Sequence, residues 1–277
     1  MKDVMLWTGA GQIGMAIARR VGFGMKIVVG DKSLKNAQSI ATIMNEAGFD
    51  ATPVETDISS RDSVRALIAE GQKHGPITRF VNAAGVSPSQ APIPVILKVD
   101  LYGTALLLEE VGKVIARGGT GVTISSQSGW RMPALSPEED ELLACTHADE
   151  LLSLPMLREG AIRDTLHAYQ MAKRCNVKRV MAKAVRWGER GARINSISPG
   201  IIVTPLALDE FNGPRGGFYK NMFARCPAGR PGTADEVANV AELMLGPQAA
   251  FITGADFLID GGATASYFYG PLRPNKA

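Results

Sequence analysis

Short apolar runs along the chain alternate with longer stretches in which apolar residues recur every three or four positions. Residues 4–7, 25–30, 51–55, 77–81, 120–124, 192–198 and 255–259 have the length and apolar character of strands. Between them, residues 15–20, 33–47, 61–72, 95–117, a long segment ending near Glu189, and 234–245 read as helices. This alternation predicts an α/β fold, a doubly wound parallel sheet with helices on both faces. From 131 to 165 the rhythm stops. Ser136-Pro137-Glu138-Glu139 has the form of a capping box with Pro at the first helical position. Leu142, Leu143, Leu151, Leu152 and Leu154 supply apolar contacts, so a helical insertion is expected there. Residues 205–229, rich in Gly and Pro, read as loop and short helix.

Composition narrows the class without naming a function. A chain of 277 residues with 45% hydrophobic residues can bury one large core, and a single domain spanning 1–277 is expected. Thirty Lys and Arg against 27 Asp and Glu include no block of like charge long enough for a nucleic-acid arm or a membrane-surface patch. Neither a nucleic-acid nor a membrane partner is expected. Cys145, Cys175 and Cys226 are scattered, as are the three histidines, and neither set has metal-ligand spacing. With no apolar run of membrane-spanning length and no secretory pattern, the expected location is the cytoplasm.

The chemistry concentrates at a few points in the rhythm. Gly9, Gly11 and Gly14 fall between the first strand and the first helix as G-x-G-x-x-G, with Gln12 and Ile13 at the helix start. Glycines there allow a tight turn, close approach of backbone to a pyrophosphate and close helix–strand packing, which predicts a Rossmann-type dinucleotide site. Asp31 ends the second strand, 17 residues after Gly14, where a carboxylate can hydrogen-bond the adenosine ribose. A carboxylate there favours NAD(H), with NADP(H) as the alternative because Lys32 offsets the repulsion of a phosphate. Asp57-Ile58 follows the third strand, and Asn82-Ala83-Ala84-Gly85 the fourth, as a small-residue loop able to approach a ligand. Tyr169 and Lys173 lie four apart in the long helix and so share one face. A free tyrosine, with its pKa of about 10, is a poor base at neutral pH, and a cation held close favours its ionised form.

In this order, the glycine turn, Asp57, Asn82 to Gly85, Ser125-Ser126, Tyr169-x-x-x-Lys173, Pro199-Gly200-x-x-x-Thr204 and Asp260-Gly261-Gly262 resemble the short-chain dehydrogenase/reductase family from Thr8 to Gly262. The resemblance implies an NAD(P)-dependent alcohol dehydrogenase or carbonyl reductase. In it Tyr169 exchanges a proton with the substrate oxygen, Lys173 tunes Tyr169 and holds the nicotinamide ribose, and Ser126 hydrogen-bonds the substrate oxygen. It further implies that Ile202 and Thr204, after Pro199 and Gly200, position the carboxamide. Asn82, Ala83 and Gly85 would lie along the adenosine ribose, and Asp57 and Ile58 would flank the adenine. A homodimer or homotetramer is the implied assembly. The other reading of the chain is a nucleotide-binding regulator that has the fold without turnover.

The sequence departs from the family in three places. The glycine turn is one residue shorter than T-G-x-x-x-G-x-G. Asp100 stands where the family usually has the Asn that helps hold the water of a proton relay, which puts a carboxyl group near Lys173. Forty-three residues separate Ser126 from Tyr169, and the family's bacterial hydroxysteroid dehydrogenase/carbonyl reductase types carry a similar insertion. Between 131 and 165 the insertion has eight acidic residues and three arginines around its leucines, an amphipathic cover that favours a lid over an interface element. The insertion, residues 205–225 and the tail Tyr267-Phe268-Tyr269 are expected to wall the pocket. The expected substrate is a ketone or secondary alcohol with substantial apolar surface.

Overall fold

The structure, a computed structural model, describes residues 2–158, 160–213 and 216–274. The first half of the chain alternates strictly: β1 (Val4–Thr8), α1 (Gln12–Val21), β2 (Lys26–Asp31), α2 (Leu34–Glu46), β3 (Asp50–Glu55), α3 (Arg61–His74) and β4 (Ile77–Asn82). A short α4 (Ile93–Ile96) then runs through a π-helical stretch, Leu97–Gly103, into α5 (Thr104–Gly112), and β5 (Thr120–Ile124) follows. After α6 (Gln127–Trp130) come α7 (Pro137–Cys145) and α8 (Ala148–Leu151), and then the 25-residue α9 (Thr165–Glu189). The chain finishes with β6 (Arg193–Pro199), β7 (Ile202–Val203), α10 (Pro205–Asn212), α11 (Gly216–Arg225), β8 (Gly232–Thr233), α12 (Ala234–Leu245), β9 (Asp256–Ile259) and α13 (Ala263–Tyr269).

Among the described residues, seven strands form one parallel sheet in the order β3-β2-β1-β4-β5-β6-β9, and β7 and β8 pair separately. Strand order reverses between β1 and β4. That crevice at the carboxyl ends of the strands is where an open α/β sheet binds its ligand. Because helices cover both faces, the strands are nearly continuous apolar runs. Met5 and Trp7 of β1 pack with α1, α2 and α12 on one face, whereas Val4 and Leu6 pack with α3, α5 and α9 on the other. Each of these side chains is fully buried, worth about 1.5–3 kcal/mol apiece.

The structure differs from the sequence expectation at two elements and adds a helix at the tail. The helix read over 95–117 begins at Ile93 and is interrupted by the π stretch carrying Asp100, a register that apolar spacing does not encode. The tail 267–269 is helical, because Gly262 at φ 81° caps α13 and Asp260 accepts hydrogen bonds from the amides of Gly262 and Thr264. Within 205–229, read as loop and short helix, Pro205–Asn212 and Gly216–Arg225 are both helical. No helix among the described residues is long and apolar enough to cross a membrane.

Candidate active site

At one end of the crevice, the glycine turn is shaped by what lies against it. Gly9 has φ 82°, and a Cβ there would come within 2.4 Å of the Ala84 amide nitrogen. A Cβ at Gly14 would lie 2.1 Å from the indole nitrogen of the buried Trp7, which donates to the Gly9 carbonyl at 2.8 Å. Gly11 has open space around it, and as the N-cap of α1 it offers no side-chain acceptor, so the first amides of α1, at Gln12 and Ile13, are left for a ligand. An uncapped helix start facing open space fits the pyrophosphate of a dinucleotide.

The neighbouring groups are half-exposed and hydrogen-bonded. Asp31 accepts from Ala10, Ser33 and Asn36. Burial works to raise the pKa of the Asp57 carboxyl, but Ser59 and Lys32, the latter at 3.2 Å, hold it below the usual carboxylate range. Ile58 is buried against Gly103. Asn82 turns its side chain inward: Oδ1 accepts from the Thr8 hydroxyl and the Ala84 amide, and Nδ2 donates to Thr104. Its side-chain amide therefore ties β1, β4 and α5 together, and any part it plays toward a ribose falls to the backbone of Ala83 and Gly85.

At the other end, α9 starts from the side chain of Asp164, which caps it by accepting from the His167 amide. One turn apart, Lys173 places its ammonium 5.2 Å from the centre of the Tyr169 ring and donates to the Ile124 carbonyl at 3.4 Å. The Ser125 hydroxyl donates to the Lys173 carbonyl, which pins α9 to the end of β5. Ser126 caps α6 by accepting from the Ser128 amide, which leaves its own hydroxyl hydrogen free. A Cβ at Gly129 would come within 2.8 Å of the Arg174 amide nitrogen, so glycine is needed for α6 to lie this close to α9.

Asp100 is fully buried. Its Oδ1 accepts from the Val86 amide at 2.8 Å, and its Oδ2 has no protein partner. Gly85 separates it from Lys173: a Cβ there would lie 3.0 Å from Asp100 Oδ1 and 3.5 Å from Lys173 Nζ. Burial pushes the Asp100 carboxyl well above its usual range, against the pull of Lys173. Burial also disfavours the charged form of Lys173, yet the negative charge available at Tyr169 and Asp100 raises its pKa overall.

Pro199 ends β6, and Gly200 lies too close to Asp260 for a side chain, since a Cβ would come within 2.7 Å of the Asp260 Cα. Ile202 is buried in the β7–β8 pair, and Thr204 Oγ1 accepts from the Ala207 amide at the start of α10. A cavity of about 180 Å³ opens beside them, with Gln127, Met222, Phe223 and Cys226 in its wall. Met222 and Phe223 fall in the stretch 205–225 expected to wall the pocket, whereas sequence reasoning missed Gln127 and Cys226, which nothing local marks. Cys175 is not a nucleophile here, since burial pushes its thiol up to about 12.

The insertion begins at the cavity wall, where Arg131 donates to Gln127 at 2.6 Å and meets Met222 Sδ at 3.6 Å, and its helices are anchored on α5 and α9. Asp140 of α7 receives a forked pair of hydrogen bonds from Arg174 (2.7 and 2.6 Å) and an ion pair from Lys178. The fully buried Arg179 donates to the carbonyls of Leu143 and Thr146 and to Glu109 of α5. Leu143, Leu151, Leu154 and Leu157 are buried against α5, α9 and the π stretch, while Leu142 and Leu152 stay exposed.

Comparison with known proteins agrees with this architecture. A family profile described as short chain dehydrogenase matches residues 3–136, and one described as Enoyl-(Acyl carrier protein) reductase matches 147–264. The chain is 41% identical to the short-chain dehydrogenase/reductase bsc3 of Alternaria brassicicola, over 95% of this chain and 96% of that one. It is 28% identical to the 3-alpha-hydroxysteroid dehydrogenase/carbonyl reductase of Comamonas testosteroni, over 67% of this chain and 72% of the relative. Among solved structures, levodione reductase superposes with a TM-score of 0.77 at 25% identity, covering 96% and 98% of the two chains.

Proposed function

We propose, from the premise that this chain belongs to the short-chain dehydrogenase/reductase family and is an oxidoreductase of alcohols and ketones, that it interconverts a secondary alcohol and a ketone with Tyr169 as the acid/base. The observation that carries the reading is the buried ammonium of Lys173 beside the Tyr169 ring, on a helix that Ser125, next to Ser126, pins to the end of β5. A nicotinamide cofactor, when bound, supplies or accepts the hydride. In the reducing direction the Tyr169 hydroxyl gives its proton to the substrate oxygen, and in the oxidising direction the phenolate takes it back. Ser126 donates a hydrogen bond to the same oxygen and fixes its distance from Tyr169. Lys173 stabilises negative charge on Tyr169 through its position beside the ring, and it would hold the nicotinamide ribose. Asp100, with Oδ2 free of protein partners and Lys173 across Gly85 from it, would take part in handing on the proton that Tyr169 exchanges. Gly9, Gly11, Gln12, Ile13 and Gly14 would hold the pyrophosphate, and Ile202 and Thr204 the carboxamide.

Only Asp100, where the family usually has Asn, leans toward the regulator reading, and a protein that only binds nucleotide has no need of Tyr169, Lys173 and Ser126 together. The cavity wall of Ile202, Met222 and Phe223 supports a substrate with apolar surface. Phe251 and Phe257, exposed on and next to the sheet-edge strand β9, support a homo-oligomer. Purified protein mixed with NADH or NADPH and a panel of cyclic and aryl ketones should consume the reduced cofactor, followed by its absorbance. No consumption with any ketone, and no reduction of NAD or NADP by the matching alcohols, would refute the assignment.

A further inference from the structure

The shortened glycine turn is gripped by contacts that its glycines do not explain. Asp31 Oδ2 accepts from the Ala10 amide at 2.9 Å. Asn36 Nδ2 donates to the Ala10 carbonyl at 3.1 Å and to the same Asp31 Oδ2 at 3.2 Å. Ala10 is therefore held at both its N–H and its C=O by residues of the β2–α2 connection. Asn36 is itself fixed, because its amide donates to Ser33, the cap of α2, and the Ser33 amide donates to Asp31 Oδ1 at 2.9 Å. Trp7 grips the next carbonyl from below, at Gly9.

We infer that Asn36 is a positioning residue for the dinucleotide: together with Asp31 it clamps Ala10 and sets the turn that presents the α1 amides to the phosphates. The inference rests on the dinucleotide reading proposed above. It also changes what Asp31 can do. An ionised carboxylate has about four acceptor sites, two on each oxygen. Oδ2 already takes two protein donors and is filled, whereas Oδ1 takes one, from Ser33. Asp31 thus offers the ribose diol one hydrogen bond rather than two. Discrimination against a 2′-phosphate then leans on charge repulsion, opposed by Lys32, whose exposed ammonium sits 3.2 Å from Asp57. The preference for NAD is accordingly shallow, and removing Asp31 releases the turn instead of exchanging one cofactor for the other.

The test is direct binding of NADH and NADPH by titration calorimetry to the wild type, Asn36→Ala and Asp31→Ala. It is paired with hydrogen exchange at the Ala10 amide in the cofactor-free proteins and with melting curves. Asn36→Ala should raise both dissociation constants about five- to tenfold, the loss of one or two hydrogen bonds, and leave their ratio unchanged. Exchange at Ala10 should quicken while the melting temperature holds. In steady-state assays the change should fall on the KM for cofactor and spare kcat, which a general loosening of the fold would not do. Asp31→Ala should weaken both cofactors. Wild-type affinity in Asn36→Ala, unchanged exchange at Ala10, or NADPH tightened by Asp31→Ala would each overturn the clamp. If the wild type binds neither cofactor, the dinucleotide reading fails, and the Ala10 exchange still decides whether the clamp exists.

Discussion

The crevice is built in two ways at its two ends. Around Asp31 and Asp57 the carboxylates are half-exposed, and every one of their close partners donates a hydrogen bond or pairs a charge. Around Tyr169 the ionisable groups Lys173 and Asp100 are buried, the first with one long hydrogen bond and the second with one oxygen unpartnered. In the first environment position is set by several bonds of about 1 kcal/mol each, and water can replace any of them. In the second, water has been removed, so one proton gained or lost changes the local field strongly. On the function proposed above, recognition would belong to the first arrangement and proton transfer to the second.

The largest effect that separates the ends is on turnover. Tyr169→Phe removes only a hydroxyl and should lower kcat by about 10²–10⁴, with the dissociation constant for cofactor, measured calorimetrically, kept within a few-fold. Retained turnover would show that the buried end does not carry the proton. Next in size is a difference of sign in pH dependence. The pKa of Asp100 is raised by burial, so above the ordinary carboxylate value of about 3.9 the unfolded chain has released a proton that the folded one keeps. Its contribution is therefore present at low pH and lost as pH rises through its folded pKa, at up to about 1.4 kcal/mol per pH unit. Asp100→Asn should flatten that fall in urea-denaturation stability measured across the acid range. At Asp57 burial is outweighed by Ser59 and Lys32, and the pKa is lowered. Its contribution is present above the unfolded value and lost as pH falls through the folded one. Because the pair is solvent-screened, Asp57→Asn should cost less than about 1 kcal/mol at neutral pH. Equal slopes in the two variants would erase the contrast. The smallest expected change is in the insertion. The anchoring of α7 and α8 on α5 and α9 favours a fixed cover over the lid that the sequence pattern pointed to. Hydrogen exchange across 137–157 should be slow and nearly unmoved by cofactor and ketone, while marked protection on binding would restore the lid.

Much of this molecule is legible in its sequence, and the reason differs from element to element. The seven strands and their helices follow from local apolar spacing, and Gly9 and Gly14 were marked because close approaches, to Ala84 and to Trp7, tolerate no side chain. Tyr169 and Lys173 share a face because four residues span just over one helical turn. Asn82 and Asp31 show where this stops. Both stand where the sequence expects a cofactor group, but the directions of their side-chain atoms are settled by Thr8, Thr104, Ala10 and Asn36, from other segments of the chain. The insertion likewise announced its helices through a capping box that both sequence and structure contain. Its seat was decided by Arg174 and Arg179 of α9, which lie beyond it in the chain. Neighbours within a few residues suffice for helix, strand, turn and the face a side chain occupies. Which carboxyl is stripped of water, which oxygen is already taken and which surface the insertion covers depends on how distant segments pack. Desolvation and hydrogen-bond partnership are properties of contacts between distant segments, and no local pattern records them.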